Sequence, residues 1–179
     1  MTNDEDYWKH AYQHAWKTAD EKVDGIIELI KQSTKKDAKK VGFGADSTEF
    51  ISGSASQHGF KKGDADLQVV GTNIFLEVTG PNIPTVPATS PLWVRPDKLQ
   101  NACADGAKET WVIHVLPTSK EPLIRVIQCN AELCKRYAAK EFAVDNPMIR
   151  GRRETYVSIP AADKCVLPIK SLLDRIAGF

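Results

Sequence analysis

The stretch Gly63-Asp64-Ala65-Asp66-Leu67-Gln68-Val69-Val70-Gly71-Thr72-Asn73-Ile74-Phe75-Leu76-Glu77-Val78-Thr79-Gly80 decides how this chain is read. Two apolar, β-branched runs meet at Gly71-Thr72-Asn73, which has turn chemistry, so the stretch predicts a β-hairpin. Side chains alternate along a strand, which puts Phe75, Glu77 and Thr79 on one face and Leu76 and Val78 on the other. Glu77 stands among strong strand formers. A carboxylate there is costly to bury unless it has a partner. It therefore faces water, pairs with a lysine, or belongs to a site.

Outward from the hairpin, composition bounds the answer. The chain has 179 residues, 42% hydrophobic and 26% charged, which fits one globular domain with its own core. The formal net charge is +1, so an anionic partner would have to meet a local basic patch. Cys103, Cys129, Cys134 and Cys165 form no CxxC pair and have no histidine cluster beside them. That argues against zinc and predicts buried free thiols in a reducing compartment. Met1 to Asp6 is acidic and polar rather than a basic leader, and no apolar run approaches the roughly 20 residues that span a bilayer. The expectation is a cytoplasmic protein with no membrane partner.

Upstream, Trp8, Tyr12, Trp16, Val23, Ile26, Ile27 and Ile30 recur at three- and four-residue steps and predict one long helix over about 4–32. Ser33 to Lys40 reads as a polar, basic linker. Glu49-Phe50-Ile51 is a short strand candidate, followed by a loop of small polar residues, Ser52 to Gly59, and by Lys61-Lys62. Downstream, five prolines between Pro81 and Pro96 exclude a helix or central strand. Pro96 then suits the first turn of a helix over 97–107, which carries Lys98. Strands are predicted over 111–116 and 123–129, a helix capped by Asn130 to about Lys140, a loop over 141–153, a strand over 156–159 and a terminal helix over 168–176. The order predicts an α/β fold, a mixed central sheet flanked by helices on both faces. The whole reads as a single domain over 1–179, with the long N-terminal helix and a C-terminal extension over about 130–179.

Asp66 begins one hairpin strand and Glu77 lies inside its neighbour, so their carboxylates can meet near one sheet edge. Two converging carboxylates repel unless a proton or a hard cation neutralises them. Magnesium suits such a pair, with the backbone carbonyl of Val78 as a third ligand and manganese as a substitute.

The arrangement resembles the PD-(D/E)xK nuclease superfamily, the restriction-endonuclease-like fold. Gly63-Asp64-Ala65-Asp66-Leu67-Gln68-Val69 and Phe75-Leu76-Glu77-Val78-Thr79 carry the resemblance. Ser52-Gly53-Ser54-Ala55-Ser56 looks like the serine loop of archaeal Holliday-junction resolvases. The likeness covers roughly residues 20–116. It implies a magnesium-dependent endonuclease that hydrolyses DNA phosphodiesters, structure-selective or restriction-like. Asp66 and Glu77 would hold the metal, and Ser54, Ser56, Gln57, Lys61 and Lys62 would contact the DNA backbone. Asp64 is a reserve for the first acid, and Asp20, Glu5 or Glu21 for an acid from the first helix. A homodimer is an option, since a two-fold protein matches the two-fold backbone of a duplex.

The sequence departs from the family at one position. The lysine expected two residues after the glutamate is Thr79, so a cation must come from elsewhere. Lys98 is the first candidate, with Lys62 and His58 behind it. The alternative is a catalytically impaired module on the same fold that binds nucleic acid or assembles without turnover. A Ser/His hydrolase built on His58 and Ser54 or Ser56 lacks a nucleophile-elbow pattern.

Overall fold

The structure is a computed structural model that describes residues 19–41, 65–81, 83–149 and 151–179. Helix α1 spans Ala19–Thr34 and buries Val23, Ile26, Leu29 and Ile30 along one stripe. It ends where Lys35 turns to a φ of 59°. The expected linker over 33–40 is instead the end of this helix and a strand, β1 (Ala38–Lys40). That strand pairs antiparallel with β2 (Leu67–Val69), so its backbone bonds hold it and no apolar pattern is needed.

The hairpin forms as the turn chemistry predicts. Strand β2 pairs antiparallel with β3 (Ile74–Thr79), Leu67 opposite Leu76. Gly71 takes a φ of +78°, which a residue with a Cβ rarely adopts. Thr72 closes the turn by donating its hydroxyl to the Val69 carbonyl and accepting from the Ile74 N–H.

After the proline-rich stretch come β4 (Leu92–Val94), α2 (Pro96–Ala104), β5 (Glu109–Leu116), β6 (Leu123–Gln128) and α3 (Ala131–Ala138). The Asn130 side chain accepts the Leu133 N–H and caps α3, as expected. Then follow β7 (Ala143–Asp145), β8 (Met148–Ile149), β9 (Arg152–Arg153), β10 (Tyr156–Ile159), β11 (Val166–Pro168) and α4 (Ile169–Ala177). The region expected as a loop over 141–153 therefore carries β7 and the β8–β9 hairpin.

The main sheet has the order β1-β2-β3-β5-β6-β11, and a second sheet has the order β4-β10-β7. The β3–β5 pair is parallel and the other described pairs are antiparallel, so the main sheet is mixed. Its two faces bury different cores. On one, α1 and α4 cover Leu67, Leu76, Trp111 and Ile113. On the other, α2, α3 and the second sheet cover Val112, Leu116 and Ile127. The expected extension over 130–179 is integral to this fold: β11 is an edge strand of the main sheet and α4 packs in its core. No helix among the described residues is long and apolar enough to cross a membrane.

The expectation of free thiols fails for two of the four cysteines. Cys103 of α2 and Cys134 of α3 form a disulfide, while Cys129 and Cys165 are free. Their separation of 31 residues hid the pairing, because it is made by the packing of two helices.

Gly80 marks the tightest backbone approach near β3. A Cβ there would lie 2.1 Å from the Val115 carbonyl oxygen and 3.3 Å from Lys22 Nζ. The Val115 contact is with backbone and cannot rotate away. Gly80→Ala is therefore expected to destabilise the fold by about 1–3 kcal/mol or more. Urea unfolding would show it as a lower midpoint with an unchanged slope.

Candidate metal-binding active site

Asp66, Glu77 and Lys98 come together at the start of β2, the middle of β3 and the first turn of α2. The Asp66 N–H donates to the Leu76 carbonyl at 3.0 Å, which seats Asp66 beside β3. Its carboxylate turns to the same strand: Asp66 Oδ2 accepts the Val78 N–H at 2.8 Å. The N–H and C=O of one strand residue point to the same edge, so the Val78 carbonyl shares the edge that Asp66 occupies.

Glu77 points to the opposite face from Leu76 and Val78, toward α2. There Lys98 Nζ donates to Glu77 Oε2 at 2.8 Å, with side-chain exposures of 15% for Lys98 and 13% for Glu77. The lysine is in place because Pro96 starts α2, Leu99 is buried under it and Lys98 precedes Leu99 on the side facing β3. A cation thus meets Glu77 from α2, a different element.

The electrostatics are those of a crowded carboxylate pair. Burial, then the charge of Asp66, push Glu77 up to about 8, against the opposing pull of Lys98 and Arg95. Burial also raises Asp66, opposed by Lys98 and by its bond to Val78. Arg95 is itself held by Asp97, with Nη2 2.7 Å from Oδ2. Among the described residues no group of three or more His, Cys, Asp or Glu could hold a metal. Two carboxylates with a neighbouring carbonyl nevertheless match what magnesium asks of a protein, since it keeps several waters and takes one or two carboxylates. One oxygen of each carboxylate is engaged by Val78 or Lys98, which leaves the other free to ligate.

Sequence reasoning missed Lys22. This residue of α1 is buried, and its Nζ donates to the carbonyls of Gly80 and Pro81 at 3.2 Å each. It ties the chain that leaves β3 back to α1 and so fixes the strand that carries Glu77. Burial lowers its pKa. The signal was present: Lys22 precedes Ile26 and Ile30 by whole helical steps, so it lies on the apolar stripe.

Thr79 is the last residue of β3, opposite His114 of β5. Glu21 is exposed on α1, and Asp20 stands in its first turn. Glu5, Ser54, Ser56, Gln57, His58, Lys61, Lys62 and Asp64 lie outside the described residues. No family model, curated protein or solved structure matches this chain.

At the raised Glu77 a cation would compete with a proton. Magnesium affinity is expected to rise about tenfold per pH unit from pH 6 to 8 and to flatten above, as one proton is released. Between its ordinary value of 4.5 and about 8, native Glu77 holds a proton that the unfolded chain has lost. Its contribution to stability is therefore full below pH 4.5 and is lost as pH rises through 8. Magnesium should consequently raise the melting temperature more at pH 8 than at pH 6, which thermal unfolding with and without the ion would show.

Proposed function

We propose that this protein is a magnesium-dependent endonuclease acting on DNA phosphodiesters, on a restriction-endonuclease-like fold. The observation that carries the reading is Lys98 against Glu77, with Asp66 beside them: two acids and a cation in a partly buried cluster, the cation on the helix that follows the hairpin. The described order of α1, β1, the β2–β3 hairpin, α2 and β5, with the short β4 before α2, supports the same reading.

Asp66 and Glu77 would hold the ion, with the Val78 carbonyl as neighbour and manganese able to substitute. What the ion supplies when bound is a Lewis acid for the phosphoryl oxygen and a water acidified into a nucleophile. The chain's own residues do the rest. The Val78 N–H fixes the rotamer of Asp66. Lys98, an ammonium held beside Glu77, would meet a phosphate oxygen as negative charge develops there. Lys22 ties the end of β3 to α1, and Gly80 lets that end approach β5 closely.

Lys98 favours the enzyme over a non-catalytic binder on the same fold, since that alternative was motivated by the uncharged Thr79. The test is incubation with supercoiled and branched DNA in magnesium, in manganese and in chelator. Cleavage in either metal and none in chelator is expected. Binding to DNA with no cleavage in any condition would leave the binder.

A further inference from the structure

A cavity of about 290 Å³ opens at the end of β3, walled by Thr79, Leu92, Trp93, His114, Leu116 and Tyr156. Its size lies at the small end of ligand pockets, which run from about 300 to 1,000 Å³. Three features mark its occupant. First, it adjoins the acidic cluster: Thr79 and Glu77 are two residues apart on one strand and share a face, a spacing of about 7 Å. Second, the Trp93 and Tyr156 rings stack at its wall, with centroids 5.4 Å apart, and Trp93 is partly exposed. Third, among the described residues the buried side-chain polar atom without a hydrogen-bond partner is His114 Nδ1. His114 is only 2% exposed, and its Nε2 lies 3.0 Å from the Trp93 carbonyl. That carbonyl can only accept, so Nε2 carries the proton and Nδ1 is left as an acceptor. Burial holds this imidazole neutral, with a pKa lowered to about 4.

We propose that the cavity receives one nucleobase of the bound strand, drawn out of its stack, next to the phosphate that would meet Lys98 and the ion of Asp66 and Glu77. The proposal rests on the nuclease reading and deepens it. A base is planar and largely apolar on its faces, so it matches an apolar slot with an aromatic wall and a buried, neutral imidazole beside it. A phosphate at Glu77 and a base beyond Thr79 are separated along β3 as a nucleotide separates its own phosphate and base. Extrusion costs least where the base is already unpaired, so the cavity makes the enzyme selective for single strands, bulges or branch points over intact duplex.

The test is an abasic scan. Labelled single strands, each lacking one base at a successive position, are bound to the full chain in chelator by anisotropy. The cut site is mapped separately in magnesium. Loss of the base beside the cut phosphate should weaken binding about tenfold, because stacking of one base contributes about 1–3 kcal/mol. Loss elsewhere should change binding less than about twofold, within the same principle. Ser90→Trp, which puts a ring into the cavity from its wall, should weaken the intact strand while leaving the abasic strand unchanged. Tyr156→Ala, which removes the stacking partner, should act in the same direction and guards against misfolding of the first variant. A flat scan with metal-dependent cleavage intact would overturn the base pocket and leave the nuclease. So would unchanged discrimination in both folded variants. No DNA binding and no cleavage would overturn the nuclease reading and the pocket with it.

Discussion

Glu77→Ala is expected to abolish magnesium-dependent DNA cleavage, by about a thousandfold or more. Lewis-acid stabilisation of the developing charge contributes several kcal/mol, and each 1.4 kcal/mol is about tenfold in rate. In the proposed mechanism Glu77 is one of two side chains that would hold the ion, and it is also the direct partner of Lys98. Its removal therefore strikes the metal and the cation together. The fold should survive, because a buried carboxylate raised by burial and by Asp66 destabilises the native chain near neutral pH rather than supporting it. Glu77→Gln is the companion variant: it keeps the volume and an acceptor for Lys98 while removing the charge. Both should melt at or above the parent temperature at pH 8, and both should be inactive. Full activity in either, in a preparation without contaminating nuclease, would remove Glu77 from the mechanism.

Lys98→Ala should lower kcat by about 10²–10³-fold at saturating magnesium, the usual loss when one donor to a developing oxyanion is removed. The effect has a second component. Lys98 holds the Glu77 pKa down, so without it Glu77 takes a proton more readily and binds the ion less well at neutral pH. The two components separate by pH: above about pH 9 the affinity loss should fade while the kcat loss persists. Lys98→Arg keeps the charge in a planar fork and should retain more activity than Lys98→Ala without restoring the parent rate. If the defect of Lys98→Ala vanished at high pH and high magnesium, Lys98 would serve metal binding alone.

The hairpin was legible because its signals agree: alternation, β-branched strands and a Gly-Thr-Asn turn all point one way. Asp66 and Glu77 were legible as acids placed where an apolar strand tolerates none. Lys98 could be named as an option from its place after Pro96, but only packing decides that α2 lies over β3 and brings it to Glu77. The strands that escaped are short and largely exposed. Lys39 and Lys40 of β1 and Arg152 and Arg153 of β9 carry no apolar alternation, because their backbone bonds rather than a buried face hold them. Strand β4 hid among prolines, tolerated because it is the edge of the second sheet. The Cys103–Cys134 bridge and the bond of Lys22 to Gly80 are tertiary, made between elements far apart in the chain. Thr79, where the sequence departs from the family it resembles, lines the cavity beside the site.

In the proposed function Asp66 and Glu77 hold one divalent ion beside Lys98. Calorimetric titration of manganese into the metal-free protein at pH 8 tests it directly. One ion bound per chain is expected, with affinity lost in Glu77→Gln and strengthened as pH rises from 6 to 8. No binding at millimolar manganese, or binding that Glu77→Gln leaves unchanged, would contradict it.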